Sequence, residues 1–161
     1  MDCSAEVIVQ ARFDDAATIL ELQKLAYRSE ATIYDDFSIA PLTQTLQNLQ
    51  SEFDVKTFLK AVIGDRIVGS VRGYQMNRTC YVERLIVHPD FQRRGVGTKV
   101  LKRIEELFPT AYRFELFTGS RSEGNIRLYS RLGYRICKLE PVTERLTFVY
   151  MEKRSPSVTF D

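Results

Sequence analysis

The segment Gln92-Arg93-Arg94-Gly95-Val96-Gly97-Thr98 has the residue types to hold a phosphate. It stands between a run of strand character and a run of helix character. The first turn of a helix offers unpaired backbone N–H groups and a partial positive charge. Glycines let an anion approach that backbone closely. From Arg93 through Arg103 there are five bases and no acid, which suits a pyrophosphate with a further phosphate nearby. The loop is not a dinucleotide fingerprint, because Val100 stands where the third glycine of GxGxxG belongs. Nor is it a Walker loop, since Gly97-Thr98-Lys99 does not complete GxxxxGK[ST]. A glycine turn that merely opens a helix is the plainer reading of the same residues.

Other side chains suggest chemistry by their position. Asn125 and Tyr129 are four residues apart in a helical segment and share a face with Leu128 and Leu132, which points that face inward. Glu83 lies in the middle of an apolar strand, where a carboxylate needs a reason. Alternation groups it with Tyr81, Leu85 and Val87, unless a bulge changes its facing. An ion pair with a neighbouring arginine is its alternative role. His88, before Pro89, reads as a turn residue. Cys80 and Cys137 read as small core residues rather than nucleophiles.

Residues 7–13 read as a strand, and Asp14-Asp15 opens an amphipathic helix carrying Ile19, Leu22, Leu25 and Ala26 on one face. Residues 30–40 lack a clean period, and Pro41 opens a second helix through Phe53. Three strands follow as a meander over residues 57–63, 67–74 and 79–87, with turns at Gly64-Asp65-Arg66 and Asn77-Arg78. A helix over 95–108 is closed by Pro109. Then come a strand at 114–118, a helix at 122–132 stopped by Gly133, and strands at 134–139 and 146–151. The order predicts an α/β (α+β) fold with helices packed on one sheet. The strand, helix and strand of residues 79–118 are expected to form a right-handed crossover.

The chain of 161 residues fits one domain, 1–161, with a core of about 7–151 and a tail of 152–161 in which Ser155-Pro156-Ser157 is expected to fray. One histidine and three scattered cysteines exclude multi-histidine and CxxC metal sites, so no metal is expected. No apolar run spans a bilayer and no leader pattern is visible, so a cytoplasmic protein without membrane contact is expected. The net charge of +2 hides an asymmetry. Residues 1–54 hold ten acids and three bases, a net −7, and the rest of the chain carries +9. The bases cluster in one segment without interleaved aromatics, which argues against nucleic acid as a partner.

Two segments together resemble the GCN5-related N-acetyltransferases. Their cofactor motif, [QR]-x-x-G-x-[GA] after a strand, is matched by Gln92-Arg93-Arg94-Gly95-Val96-Gly97. Their second signature, Asn and Tyr four residues apart before a Gly-aromatic pair, is matched by Asn125, Tyr129 and Gly133-Tyr134. The resemblance implies a mixed, twisted sheet that splays open, with acetyl-CoA as acetyl donor in the splay. It implies that backbone amides of Arg93, Arg94, Gly95, Val96, Gly97 and Thr98, after Gln92, hold the pyrophosphate. The main chain of Leu85, Ile86 and Val87 would pair with the pantetheine arm, and Asn125 would contact the same arm. Tyr129 would be the general acid for the leaving thiolate, and Glu83 is the candidate base for the amine.

The same resemblance puts the acceptor site near the first two helices. There Asp35 and Asp36, flanked by Tyr34 and Phe37, are candidates to recognise a cationic amine, solvated loop acids being the alternative. The expected activity is direct acetyl transfer to the primary amine of a small molecule in a ternary complex. A protein or peptide N-acetyltransferase and a non-catalytic acyl-CoA-binding regulatory domain are the alternatives. A monomer or homodimer is expected.

Overall fold

The computed structural model describes residues 6–155. Its strands are β1 (Glu6–Gln10), β2 (Thr57–Ile63), β3 (Arg66–Met76), β4 (Thr79–Val87), β5 (Arg113–Gly119), β6 (Arg135–Pro141) and β7 (Thr147–Arg154). Its helices are α1 (Ala16–Tyr34), α2 (Ala40–Thr43), α3 (Leu46–Glu52), α4 (Val96–Glu106) and α5 (Glu123–Arg131). One mixed sheet runs β1-β2-β3-β4-β5-β7-β6, and β4–β5 is its parallel pair. Cys3 and the tail beyond Ser155 lie outside the described residues.

The helical period of α4 buries Val96, Val100, Leu101 and Ile104. They pack on Leu59, Ala61, Val68, Val71, Cys80 and Val82 from the sheet. Each Val, Leu and Ile among them contributes on the order of 1.5–3 kcal/mol by leaving water. The opposite face is covered by α1 and α3, with Ala16, Ile19, Leu20 and Leu49 around Phe58. Phe53 stacks on Phe58 with ring centroids 3.9 Å apart.

Four local expectations are corrected. Residues 30–34 are not irregular but continue α1, because Ala31 and Tyr34 extend its buried face. The helix stops where Asp35 turns left-handed, φ 48°. The expected helix over 41–53 is two, broken at Gln44-Thr45, and the Thr45 hydroxyl caps α3 by accepting from Asn48 N–H. Cys137 is exposed rather than core, because the β6–β7 register slips between Ile136 and Lys138 on an edge strand.

The fourth correction bears on the site. The β3–β4 register passes from Ser70↔Ile86 to Arg72↔Glu83, so β4 carries an extra residue there. Arg84 marks the bulge with φ 52°. Glu83 therefore stays with Tyr81 on the α1 side, whereas Leu85 and Val87 pack into the α4 side of the core. Simple alternation fails at this one residue.

Candidate active site

β4 and β5 pair only over Thr79–Tyr81 and Arg113–Glu115. Beyond that point they diverge, and the β5-facing edge of β4 from Val82 to Val87 pairs with no described strand. Leu85 and Val87 thus present backbone donors and acceptors to a gap in the sheet, whereas Ile86, expected to join them, turns its own toward β3, in step with His88 N–H, which donates to Val68 O (2.8 Å). The gap leads to the glycine loop. His88 caps a short 3-10 turn by accepting from Asp90 N–H through Nδ1 (3.1 Å), the turn role expected of it. Gln92 is extended, and Arg93 (φ 64°) and Gly95 (φ 82°) are left-handed.

Gly95 is glycine for a backbone reason, since it caps α4 at a positive φ that a side chain would strain. No side chain caps this terminus. The first helical bond shown there runs from Lys99 N–H to Gly95 O (3.1 Å), so the amides of Val96, Gly97 and Thr98 precede it. Gln92, Arg93 and Arg94 are exposed on the loop, and the Arg94 guanidinium lies 5.1 Å from the Phe91 ring centre. Of the other bases, Lys99 pairs with Glu6 (3.3 Å) and Arg103 with Glu106 (3.0 Å).

α5 borders the same gap. A Cβ on Gly97 would lie 3.5 Å from Leu128 Cδ2 and 3.6 Å from Val87 Cγ2, so the start of α4, the end of β4 and α5 meet there. Asn125 Nδ2 donates to Thr118 Oγ1 of β5 (3.1 Å). One turn on, Tyr129 is 5 % exposed. Burial pushes its phenol above the ordinary tyrosine range, and the nearby Tyr27 and Glu30 push the same way. It therefore holds its proton through neutral and mildly alkaline pH. Cys80 is also buried, and its thiol is pushed up to about 12, which keeps it an inert core residue.

Glu83 is ion-paired, but with lysine rather than arginine. Lys56 Nζ donates to Glu83 Oε2 (2.6 Å) and Glu52 Oε1 (2.6 Å), and lies 5.3 Å from the Tyr74 ring centre. Burial opposes the charge on Lys56, yet the two carboxylates outweigh it and hold its pKa above the usual value. Behind this pair lies Arg72, 1 % exposed. It donates to Gln23 Oε1 (2.7 Å), approaches Glu52 Oε2 (3.5 Å) and stacks over Phe58. Desolvation pushes Arg72 down to about 10, against the pull of Glu52.

The four acceptor-side candidates do not form one cationic-amine surface. Tyr34 is buried in a relay: Arg121 N–H donates to its hydroxyl (2.9 Å), which donates to Ser122 Oγ (2.8 Å), which donates to Glu30. Asp35 is bound by Arg145 (3.2 Å), and Asp36 accepts from Ser38 N–H (2.9 Å) and its hydroxyl (2.5 Å). Phe37 is 61 % exposed. Lys56, Arg72, Glu30 and Ser122 were not legible in the sequence, because, the local Lys56–Glu52 pair apart, their partners are distant in the chain. Among the described residues no cluster of His, Cys, Asp and Glu suits a metal ion, and no helix is long and apolar enough to cross a membrane.

The model of the Acetyltransferase (GNAT) family matches residues 17–134. The PaiA N-acetyltransferase of Thermoplasma acidophilum, solved in complex with coenzyme A, superposes with a TM-score of 0.77 at 14 % identity, over 94 % of this chain and 99 % of that one. YncA, a putative acetyltransferase from Salmonella typhimurium solved with acetyl-CoA, gives 0.76 at 20 % identity, over 98 % and 99 %. These likenesses carry the fold. The UPF0157 protein YqkA of Bacillus subtilis (strain 168) is 24 % identical over 120 residues, 74 % of this chain and 34 % of that one. The chain thus spans about a third of that relative's length.

Proposed function

The chain belongs to the GNAT acetyltransferase family, and from that premise we propose that it transfers the acetyl group of acetyl-CoA directly to a primary amine of a small molecule, in a ternary complex. The observation that carries this reading is the unpaired β4 edge running into the left-handed glycine loop at the start of α4. A strand edge offers hydrogen bonds to an amide-bearing arm, and a helix start offers amides to phosphate. The donor supplies the acyl group as a thioester.

The protein's part is to bind, orient and move protons. Amides of residues 93–98, after Gln92, hold the pyrophosphate, with Arg93 and Arg94 beside them. Backbone groups of Leu85 and Val87 hold the pantetheine arm. Asn125 is oriented by its bond to Thr118, which leaves its side-chain oxygen to accept from that arm. Tyr129 gives its proton to the departing sulfur. Glu83, held by Lys56, takes the amine's proton through water. Much of the acceleration comes from holding the two reactants together. Residues 34–37 close the acceptor side, Tyr34 as wall and Phe37 as open surface.

The test is thiol release from acetyl-CoA across a panel of primary amines. Amine-dependent release is expected. Acetyl-CoA binding with no release from any amine would instead support a regulatory binding domain.

A further inference from the structure

Carboxylates beside the opening, on the neighbouring strands and at the end of α1 already have partners within the chain. Glu83 is held by Lys56 (2.6 Å), and Glu115 (2.9 Å) and Glu152 (2.5 Å) by Arg113. Glu140 is paired with Lys138 (3.3 Å) and Asp35 with Arg145 (3.2 Å). Asp36 accepts from Ser38. A cation seated on the strands would compete with Lys56, Arg113 and Lys138 for these carboxylates.

Between these pairs the surface is aromatic, with the Lys138 ammonium 5.1 Å from the Tyr150 ring centre at its outer edge. Phe117, Phe148 and Tyr150 are half-buried and touch one another, with ring centroids 4.7, 5.4 and 6.5 Å apart. Phe117 lies two residues beyond Glu115, and Glu83 two residues beyond Tyr81, where the last β4–β5 pair is Tyr81↔Glu115. The two therefore border the same opening from its two sides. Phe117 is registered with Tyr150, and Gly119 with Phe148, so the aromatic strip runs up β5 and β7 from that opening. At its far end the Arg145–Asp35 pair ties the turn before β7 to the end of α1, two residues from Phe37.

Resting on the acyltransfer reading, we infer that the acceptor is a primary amine with an apolar, ring-sized body that lies on Phe117, Phe148 and Tyr150, its nitrogen at the splay beside Glu83.

The experiment measures kcat/KM at saturating acetyl-CoA for 2-phenylethylamine, ethylamine, spermidine, glucosamine and a short peptide with a free N-terminus. The expected result is 2-phenylethylamine ahead of each other amine by at least ~10-fold. Phe148→Ala should shrink its lead over ethylamine while the KM for acetyl-CoA holds. Phe148→Leu, which keeps apolar volume in the strand, serves if the alanine variant does not fold. A preference for spermidine, glucosamine or the peptide overturns this inference alone. So does a folded Phe148 variant that slows both simple amines equally. No amine-dependent thiol release overturns the transferase reading, and this inference with it.

Discussion

Tyr129 and Lys56 differ in how far the sequence reveals them. Tyr129 stands out in the sequence because Asn125 lies one turn before it on the same helix, and the glycine-loop residues stand out because they share one segment. Lys56 does not, because Glu83 is 27 positions along the chain and meets it only through sheet pairing. Two expected outcomes belong at this scale. Tyr129→Phe should lower kcat on the order of 100-fold with acetyl-CoA affinity nearly unchanged, measured by steady-state rates and donor titration. Because burial raises the Tyr129 pKa, the phenol stays protonated, and no loss of rate from its ionisation is expected up to about pH 10. Lys56→Met leaves Glu52 and Glu83 facing each other without their shared cation. It should destabilise the fold by about 1–3 kcal/mol in urea unfolding.

At the scale of elements, hydrophobic periodicity and turn residues delivered the strand and helix order, and α4 most clearly. What they did not deliver were the features fixed by tertiary contact. α1 runs on to Tyr34 because that ring packs against Gly119 and its hydroxyl joins the loop before α5. The β4 bulge at Arg84 has no local glycine or proline to announce it, yet it decides which face Glu83 joins. Gly119 is the sensitive point of the α1 contact, since a Cβ there would come within 1.9 Å of the Tyr34 hydroxyl. Gly119→Ala should displace Tyr34, break its relay and destabilise by roughly 2–4 kcal/mol, read from the urea midpoint. Gly95→Ala meets no neighbour but must hold φ 82°, so a smaller loss of about 1–2 kcal/mol is expected.

Across the whole molecule, the −7 and +9 halves find much of their complement in each other. Glu6 pairs with Lys99, Asp15 with Lys60, Asp35 with Arg145 and Glu52 with Lys56, each an acid of the first 54 residues with a base of the remainder. The asymmetry therefore pairs the first segment with several parts of the remainder, which composition alone did not separate from a partner-binding signal. Burial opposes the charges on Glu52 and Asp15, but hydrogen bonds and nearby cations outweigh it and lower both pKa values. Each acid binds its proton less readily folded than unfolded. The stabilisation is thus whole above the unfolded values, about 4.3 and 3.9, and is lost as pH falls through the lower folded values. Urea midpoints should be flat from about pH 6 to 8 and fall below about pH 4. The central claim, direct transfer from donor to amine in a ternary complex, is tested most directly by initial rates of thiol release with acetyl-CoA and 2-phenylethylamine varied together. Intersecting double-reciprocal lines are the predicted result. Parallel lines, the mark of an acetyl-enzyme intermediate, or a rate indifferent to the amine would contradict it.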